Sequence, residues 1–218
     1  MKKTEIMQIN KLQSYLEEKA MLDHISKNAA VKKIPVIDRI TGRFLEVVCT
    51  IKSPKNILEI GCGIGFSSYF LVKNLEEGNY TGIDLNQDRI KKAEKFTRSQ
   101  FPEKKLQFLG GNALKIIPDL KDKFDLVFID AAKYEYPLYI KAVENKLKSG
   151  AIVVADNIFY GDKIFKKEIS KHDLKSVNGI KEYISYVTNS RGFSSYFYDI
   201  GDGISISKFL KNNSIKSW

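Results

Sequence analysis

The sequence predicts an α/β fold in which seven short strands form a mostly parallel sheet. From residue 54 onward, short apolar runs alternate with helical stretches, as is typical of parallel strands joined by right-handed crossovers. Near the end of the chain, two further apolar runs flank Gly201-Asp202-Gly203, a short loop suited to a β-hairpin. We therefore expect an antiparallel C-terminal hairpin to close one edge of the sheet.

Five apolar runs predict the parallel strands. In chain order they are NILEI, YTGID, LQFLG, DLVFID and AIVVADN. Helices are predicted from about Phe66, from Arg89 to Phe101, in a short piece after LQFLG, and near residues 136–148. Another helix is predicted over residues 177–190, before the hairpin strands SSYFYDI and ISISKFL.

Residues 1–50 predict a helical extension. Apolar residues recur near helical spacing at Leu12, Tyr15, Leu16, Met21, Leu22 and Ile25. A chain of 218 residues, 43% of them hydrophobic, suits one domain with a full core. We therefore expect a single domain over residues 1–218, in which the extension lies on a core of residues 54–218.

Charge and composition restrict the partners and the compartment. A formal net charge of +10 and a pI of about 9.3 favour a polyanionic partner such as nucleic acid, although a lysine-rich surface can simply be solvated. The two cysteines, Cys49 and Cys62, form no disulfide framework and no zinc spacing. Without a signal-peptide pattern or a run of about 18 apolar residues, we expect a soluble cytoplasmic protein.

A glycine loop follows the first strand directly. Its spacing, Glu59-x-Gly61-x-Gly63-x-Gly65, differs from the GxGxxG fingerprint of dinucleotide sites. In open α/β sheets, ligands bind beyond the carboxyl ends of strands, where glycines admit a ligand to the backbone. Asp84 ends the second strand, where an acid can accept hydrogen bonds from ribose hydroxyls. The pattern resembles motif I of class I S-adenosylmethionine-dependent methyltransferases; a plain strand–helix turn and an NAD site are the alternatives.

Asn112 and Ala113 follow the third strand. Methyltransferases of this class usually have Gly-Asp-Ala here and hold the adenine with it, whereas this chain has Gly111-Asn112-Ala113. The side-chain carbonyl of Asn112 can still accept a hydrogen bond from the adenine amino group. Asparagine is also a good helix N-cap, and both roles are compatible.

Acidic residues end two strands that should be neighbours. Asp130 ends DLVFID, and Asp156-Asn157 ends AIVVADN, so the three side chains should meet at one sheet edge. Two carboxylates and an amide oxygen form a hard ligand set that suits Mg²⁺, whereas each acid alone reads as an ordinary strand-end cap. Lys133 lies three residues after Asp130. It could accept a proton from a substrate hydroxyl, or simply neutralise the carboxylates.

The series IDAAK, DNIFYG and IGDGISIS resembles the Mg²⁺-dependent O-methyltransferases that include catechol and caffeoyl-CoA O-methyltransferases. The resemblance covers nearly the whole chain and implies a Rossmann-like class I methyltransferase fold, S-adenosylmethionine and Mg²⁺ as cofactors, and a homodimer. It implies cofactor contacts from Ile37, Glu59, Gly61, Phe66, Ser67, Asp84, Asn112, Ala113 and Asp130. It further implies Asp130, Asp156 and Asn157 as metal ligands, with Asp130 and Lys133 as catalytic residues.

Within this family, the chain most resembles the branch that methylates 5-hydroxyuridine at the wobble position of tRNA. The expected phosphate contacts are Lys32, Lys33, Arg39, Arg43, Lys163, Lys166, Lys167, Lys171 and Lys175. The alternatives are a small-molecule O-methyltransferase acting on a catechol-like or acyl-CoA phenolic substrate, and a binding protein without catalysis. Tyr134 and Glu135 replace the Gly-Gln that often follows the lysine, which changes the pocket rim. Cys62 departs from the usual small or hydroxyl residue in the loop, which should be harmless if its backbone binds the cofactor.

Overall fold

The fold is built on a seven-stranded sheet. A computed structural model describes residues 3–210, and it describes side chains from residue 11 onward. The strands are β1 (Asn56–Ile60), β2 (Asn79–Asp84), β3 (Lys105–Gly110), β4 (Phe124–Ile129), β5 (Leu147–Ala155), β6 (Phe193–Tyr198) and β7 (Ile204–Phe209). Their order is β3-β2-β1-β4-β5-β7-β6. Strands β1 to β5 pair in parallel, and β7 pairs antiparallel with β5 and β6. The predicted fold class is confirmed.

The position of β1 decides where a ligand can bind. β1 pairs with β2 on one side and with β4 on the other, so the chain reverses its direction of winding at the β1–β4 pair. Ligands of open α/β sheets bind beyond the carboxyl ends of the strands at such a switch point. In this chain, the glycine loop follows β1 and Asp130 follows β4. The topology therefore brings these two predicted elements together.

Seven α-helices alternate with or precede the strands in the described part of the chain. They are α1 (Lys3–Val31), α2 (Arg39–Lys52), α3 (Phe66–Lys73), α4 (Gln87–Gln100), α5 (Ala113–Ile116), α6 (Tyr136–Glu144) and α7 (Lys171–Asn189). Side-chain caps begin several of them: Asp38 accepts from the Thr41 N–H at 2.8 Å, and Asn86 accepts from the Asp88 N–H at 3.0 Å. None of the helices in residues 3–210 combines the length and apolar character that a membrane crossing requires.

Two element boundaries differ from the sequence prediction. α6 ends at Glu144 rather than near residue 148, and β5 begins at Leu147 rather than at Ala151. Leu147 pairs with Phe124, and the register then shifts before Leu126, so the strand starts early through an irregular segment that periodicity does not reveal. α7 begins at Lys171 rather than at residue 177, because Ser170 caps it by accepting from the Asp173 N–H.

The chain divides into two compact units, one ending at Ile37 and the other beginning at Asp38. The first contains the long helix α1. The second contains the sheet and also α2, which the sequence had assigned to the extension of residues 1–50. α2 belongs with the sheet because it packs on α3, where the Glu46 carboxylate pairs with the Lys73 ammonium at 2.9 Å.

Asp125, near the start of β4, links β4 to the residues that begin β1 and to Lys148 of β5. Its Oδ2 atom accepts hydrogen bonds from the Lys55 and Asn56 N–H groups, at 3.1 and 2.8 Å, and from Lys148 Nζ at 2.9 Å. Partial burial acts to raise the pKa of this carboxyl, but the hydrogen bonds from Lys148 and from the Asn56 and Lys55 backbone act more strongly in the opposite direction. The pKa of Asp125 is therefore lower than its usual value. Because the pKa is lower in the folded state, ionised Asp125 stabilises the fold above the unfolded pKa of about 4, and this contribution is lost as the pH falls further.

We predict that Asp125→Asn lowers the free energy of unfolding by about 1 kcal/mol at pH 7, because the amide accepts these three bonds less strongly. Urea denaturation of both proteins checks this, and the difference should shrink below about pH 4. A difference that stays constant down to pH 3 would show that the charge of Asp125 is unimportant.

Candidate active site

Three glycines between β1 and α3 have the left-handed backbone on which the loop depends. The φ angle is +94° at Gly61, +54° at Gly63 and +90° at Gly65. The N–H groups of Gly61 and Cys62 donate to the Ile83 carbonyl oxygen at 2.7 and 3.1 Å, which fastens the loop to the end of β2. A Cβ at Gly63 would meet no heavy atom within 4 Å. The loop therefore offers open backbone to a ligand at Gly63.

Asp84 lies beside this open backbone. Its Oδ2 accepts from the Gly63 N–H at 3.0 Å, and its Oδ1 accepts from the Asn86 N–H at 2.8 Å. A carboxylate offers about four acceptor positions, so lone pairs are left for a ligand hydroxyl. The carboxylate predicted to bind ribose is therefore fixed at the loop by two backbone N–H groups.

Glu59 lies behind the loop, in the interior. Its carboxyl is fully buried and receives hydrogen bonds from the hydroxyls of Ser67, Ser68 and Tyr80, that of Ser68 at 2.7 Å. Burial raises the pKa of Glu59, while the hydroxyl bonds act against this rise. Among the described residues, the partners of Glu59 are therefore protein hydroxyls on α3 and β2, through which it supports the loop from beneath. Its predicted contact with the cofactor stays a prediction.

The other predicted cofactor residues are placed as follows. Phe66 begins α3 and packs edge-on against Phe70, with ring centroids 5.7 Å apart. Asn112 caps α5, since its side-chain oxygen accepts from the Leu114 N–H at 2.8 Å. The capping role weighed for Asn112 is thus confirmed, and Ala113 beside it is buried. Their contacts with a ligand stay predictions.

Asp130 touches the glycine loop directly. A Cβ at Gly61 would overlap the Asp130 carbonyl oxygen and lie 2.7 Å from its carbonyl carbon. The Asp130 N–H donates to the Ile60 carbonyl at 2.9 Å. Only glycine permits this approach, so Gly61 fixes the distance between the loop and the acid. The side chain of Asp130 is 22% exposed, and its Oδ1 pairs with Lys133 Nζ at 2.7 Å.

Asp156 stands at the end of the neighbouring strand. Ala155 at the end of β5 pairs with Ile129 at the end of β4. Asp156 and Asp130 are the next residues of the two strands, so they lie side by side at the same edge of the sheet. Asp156 is almost completely buried, and this burial, with the nearby Asp130 charge, raises the pKa of its carboxyl to about 7. Lys133 acts against this rise, as does the bond that the Asn157 N–H donates to Asp156 Oδ1 at 2.8 Å.

This set of oxygens fits a hard divalent cation. Two neighbouring carboxylates, Asp130 and Asp156, followed by the amide-bearing Asn157, are the kinds of oxygen ligand that Mg²⁺ prefers. Within residues 11–210, no three His, Cys, Asp or Glu side chains come together as a metal cluster. The candidate set therefore depends on Asn157 and on ligands from outside the protein.

The comparisons with known proteins agree with this geometry. The model of a family described as O-methyltransferase matches residues 11–209. The chain belongs to this O-methyltransferase family. Its reaction class is S-adenosylmethionine-dependent O-methylation.

Individual relatives are distant. Catechol O-methyltransferase of Niastella koreensis is 28% identical over 128 residues, 56% of this chain and 58% of that protein. Tapetum-specific methyltransferase 1 of Arabidopsis thaliana is 26% identical, covering 77% of this chain and 75% of that protein. A solved Staphylococcus aureus structure, provisionally described as a caffeoyl-CoA O-methyltransferase, has a TM-score of 0.80 at 25% identity and covers 94% of this chain and 99% of that one.

Two interactions of this O-methyltransferase escaped the sequence analysis. The loop after Asn157 is held by the hairpin turn, where the Phe159 N–H donates to the Asp202 carbonyl at 2.9 Å and the Gly161 N–H donates to Asp202 Oδ1 at 2.7 Å. The motif IGDG marks the turn, but nothing in it indicates this partner. The second interaction is the hydrogen bond between Lys133 Nζ and the Tyr136 hydroxyl, at 2.8 Å.

The residues after Lys133 divide into a surface part and a buried part. Tyr134 is exposed, as a rim residue should be, and the ammonium of Lys175 lies 3.9 Å from the centre of its ring. Glu135 turns towards α6, where Tyr139 donates a hydrogen bond to it at 2.5 Å. Cys62 is buried and packs with Ile90 and Ala93 of α4, so its side chain lies in the interior rather than on the surface of the loop.

Ile37 ends the first unit of the O-methyltransferase. Its contact with the cofactor, which the resemblance implies, stays a prediction. The same holds for the phosphate contacts expected of Lys32 and Lys33 in that unit.

We predict that Gly63→Ala weakens S-adenosylhomocysteine binding by about tenfold or more, because the added methyl group would occupy the open backbone beside Asp84. Isothermal titration calorimetry measures the affinity. Gly161→Ala is the matched control, since Gly161 has a φ of +60° and a Cβ there also meets nothing within 4 Å. Equal affinities in the two variants would place the cofactor elsewhere.

Proposed function

We propose that this O-methyltransferase transfers the methyl group of S-adenosylmethionine to a hydroxyl of a small phenolic acceptor, either a catechol-type diol or a phenol carried by an acyl-CoA. One observation carries the proposal: the Asp130–Lys133 pair lies directly against the glycine loop, through Gly61. A proton-handling group and a negative charge are therefore next to the open backbone of the loop. The descriptions of the Niastella and Staphylococcus relatives support this acceptor class.

The cofactor end of the site would use groups that are already fixed. The backbone at Gly63 and the N–H groups that begin α3 would receive S-adenosylmethionine, and the remaining lone pairs of Asp84 would accept from its ribose hydroxyls. S-adenosylmethionine would supply an electrophilic methyl group on its sulfonium. The chain's contribution is alignment of the acceptor oxygen with that carbon, which accounts for much of the rate in such reactions.

The metal end would be formed by Asp130, Asp156 and Asn157, with Mg²⁺ as the cation that their oxygens suit best. When bound, a divalent cation supplies Lewis-acid stabilisation of a deprotonated hydroxyl. The buried Asp156 carboxyl, with its raised pKa, favours a cation beside it. A hard cation held by these residues would suit an oxygen-rich acceptor, which favours a diol over a simple phenol.

Lys133 would take the acceptor's proton. The side chain is only 12% exposed and its Nζ is held by Asp130 Oδ1 at 2.7 Å. In the reaction, the hydroxyl oxygen loses its proton to Nζ and bonds to the methyl carbon, while the bond between sulfur and methyl breaks. Sulfur keeps that electron pair, and S-adenosylhomocysteine leaves.

A tRNA acceptor carrying 5-hydroxyuridine is the second candidate, and the charge of the chain favours it. Besides the net charge of +10, exposed lysines lie after the loop that follows Asn157, at Lys166, Lys167 and Lys171. Lys175 connects this segment to the site through its contact with Tyr134. Phosphates of an acyl-CoA could bind the same lysines, so charge alone does not separate the two acceptors.

The homodimer expected from the resemblance stays a prediction.

We predict that Lys133→Gln lowers kcat by about 100-fold or more with a diol acceptor, because the variant lacks the proton acceptor, while S-adenosylhomocysteine binds as before. Methyl transfer from labelled S-adenosylmethionine to a catechol, to caffeoyl-CoA and to tRNA containing 5-hydroxyuridine gives the rates. Lys141→Gln is the control, since that exposed lysine pairs with Glu182 and the Tyr186 ring, away from Asp130.

No methyl transfer to the catechol or the acyl-CoA, together with transfer to the tRNA, would contradict the small-molecule proposal. Full activity of Lys133→Gln would contradict the role of Lys133 for any acceptor.

We predict that the triple variant Lys166→Gln, Lys167→Gln and Lys171→Gln keeps its KM for an uncharged catechol within about twofold at all salt concentrations, because such an acceptor has no phosphate to bind. With caffeoyl-CoA, the KM should rise in low salt. Steady-state kinetics at several ionic strengths check both. A strong salt dependence for the catechol would show that the lysines act on the site itself rather than on phosphates.

A further inference from the structure

We infer that Tyr136 is a positioning residue, whose hydroxyl aims Lys133 Nζ at the acceptor oxygen. The inference deepens the proposed function and rests on it. Lys133 Nζ contacts Asp130 Oδ1 at 2.7 Å and the Tyr136 hydroxyl at 2.8 Å. Nitrogen is tetrahedral, so Cε and these two partners leave one direction free. That free direction is the one along which an acceptor oxygen could approach Nζ.

The hydroxyl of Tyr136 must accept from Lys133 rather than donate to it. A phenol has one hydrogen, and the carbonyl oxygens of Asp156 and Ile129 lie 2.9 and 3.2 Å from the Tyr136 oxygen. These carbonyls can only accept, so the hydrogen points at them and a lone pair faces Lys133.

The ring of Tyr136 is fixed in the core. Tyr136 is fully buried at the first position of α6 and packs edge-on against Tyr183, with ring centroids 5.7 Å apart. Its hydroxyl touches the ends of both β4 and β5, at Ile129 and Asp156. The position of Lys133 Nζ is thereby tied to the two strands that carry the metal-ligand candidates. A flexible lysine is thus held by one carboxylate and one immobile phenol.

The test compares Tyr136→Phe with Tyr183→Phe. Tyr183 is a matched control because it is equally buried and its hydroxyl also forms a hydrogen bond in the core, with Ser205 at 2.9 Å. The first measurement needs no acceptor: Lys133 is acetylated with an N-hydroxysuccinimide ester, and peptide mass spectrometry follows the rate. We expect Tyr136→Phe to be acetylated at Lys133 at least several-fold faster than wild type, and Tyr183→Phe at the wild-type rate.

The second measurement is kinetic. We expect Tyr136→Phe to lower kcat by about tenfold or more, with an unchanged KM for S-adenosylmethionine, and Tyr183→Phe to leave both constants unchanged. In a Lys133→Met background, Tyr136→Phe should have no further effect, because the hydroxyl then has no lysine nitrogen to aim. The acetylation result stands even if no acceptor is found, so it separates failure of this inference from failure of the proposed function.

Three results would overturn the inference. Equal acetylation of Lys133 in the two variants would mean that the hydroxyl does not hold Nζ. A kcat that is unchanged in Tyr136→Phe, or lowered further by it in the Lys133→Met background, would mean that the contact does not serve the reaction through Lys133. A Tyr136→Phe protein that fails to fold while Tyr183→Phe folds would make the hydroxyl a structural link between β4 and β5.

Discussion

The contact between Gly61 and the backbone of Asp130 is the constraint on which the candidate site depends. Because no side chain fits between them, the loop that would receive the cofactor and the strand end that carries the acid meet main chain to main chain. The Asp130 N–H bond to Ile60 joins the same two strands one step earlier. With the cofactor and acceptor placed as proposed, the sheet rather than rotatable side chains would set their separation, which suits a reaction governed by alignment.

The carboxyl groups of Asp130 and Asp156, at this edge of the sheet, differ in their charged partners. Asp130 has an ammonium partner, whereas Asp156 is buried with only a backbone N–H on one of its oxygens and has a raised pKa. Such a carboxyl is stabilised by a nearby cation, and removing that cation leaves a costly buried charge. This edge therefore has two carboxylates and one ammonium, a negative excess that would favour the divalent cation proposed above even though Lys133 lies beside it.

The sequence predicted what depends on local pattern. Strand ends and glycine spacing gave the loop, Asp84, Asp130 and Asp156, because parallel strands place their ends at one edge. Contacts between distant segments were not predictable in this way. Tertiary packing produces the hydroxyl partners of Glu59, the bond from Gly161 to Asp202 and the burial of Tyr136. It also places α2 in the same unit as the sheet, through the contact of α2 with α3. Of Tyr134 and Glu135, which the resemblance placed at the pocket rim, only Tyr134 is exposed.

A crystal structure with S-adenosylhomocysteine and a slowly reacting catechol analogue would test the central claim most directly. The account predicts that the cofactor lies on the backbone of Gly63 with its ribose at Asp84, and that one catechol oxygen lies within about 3 Å of Lys133 Nζ. It would be contradicted by a cofactor bound away from the glycine loop. It would equally be contradicted by a catechol that binds out of reach of Lys133 while the cofactor is in place.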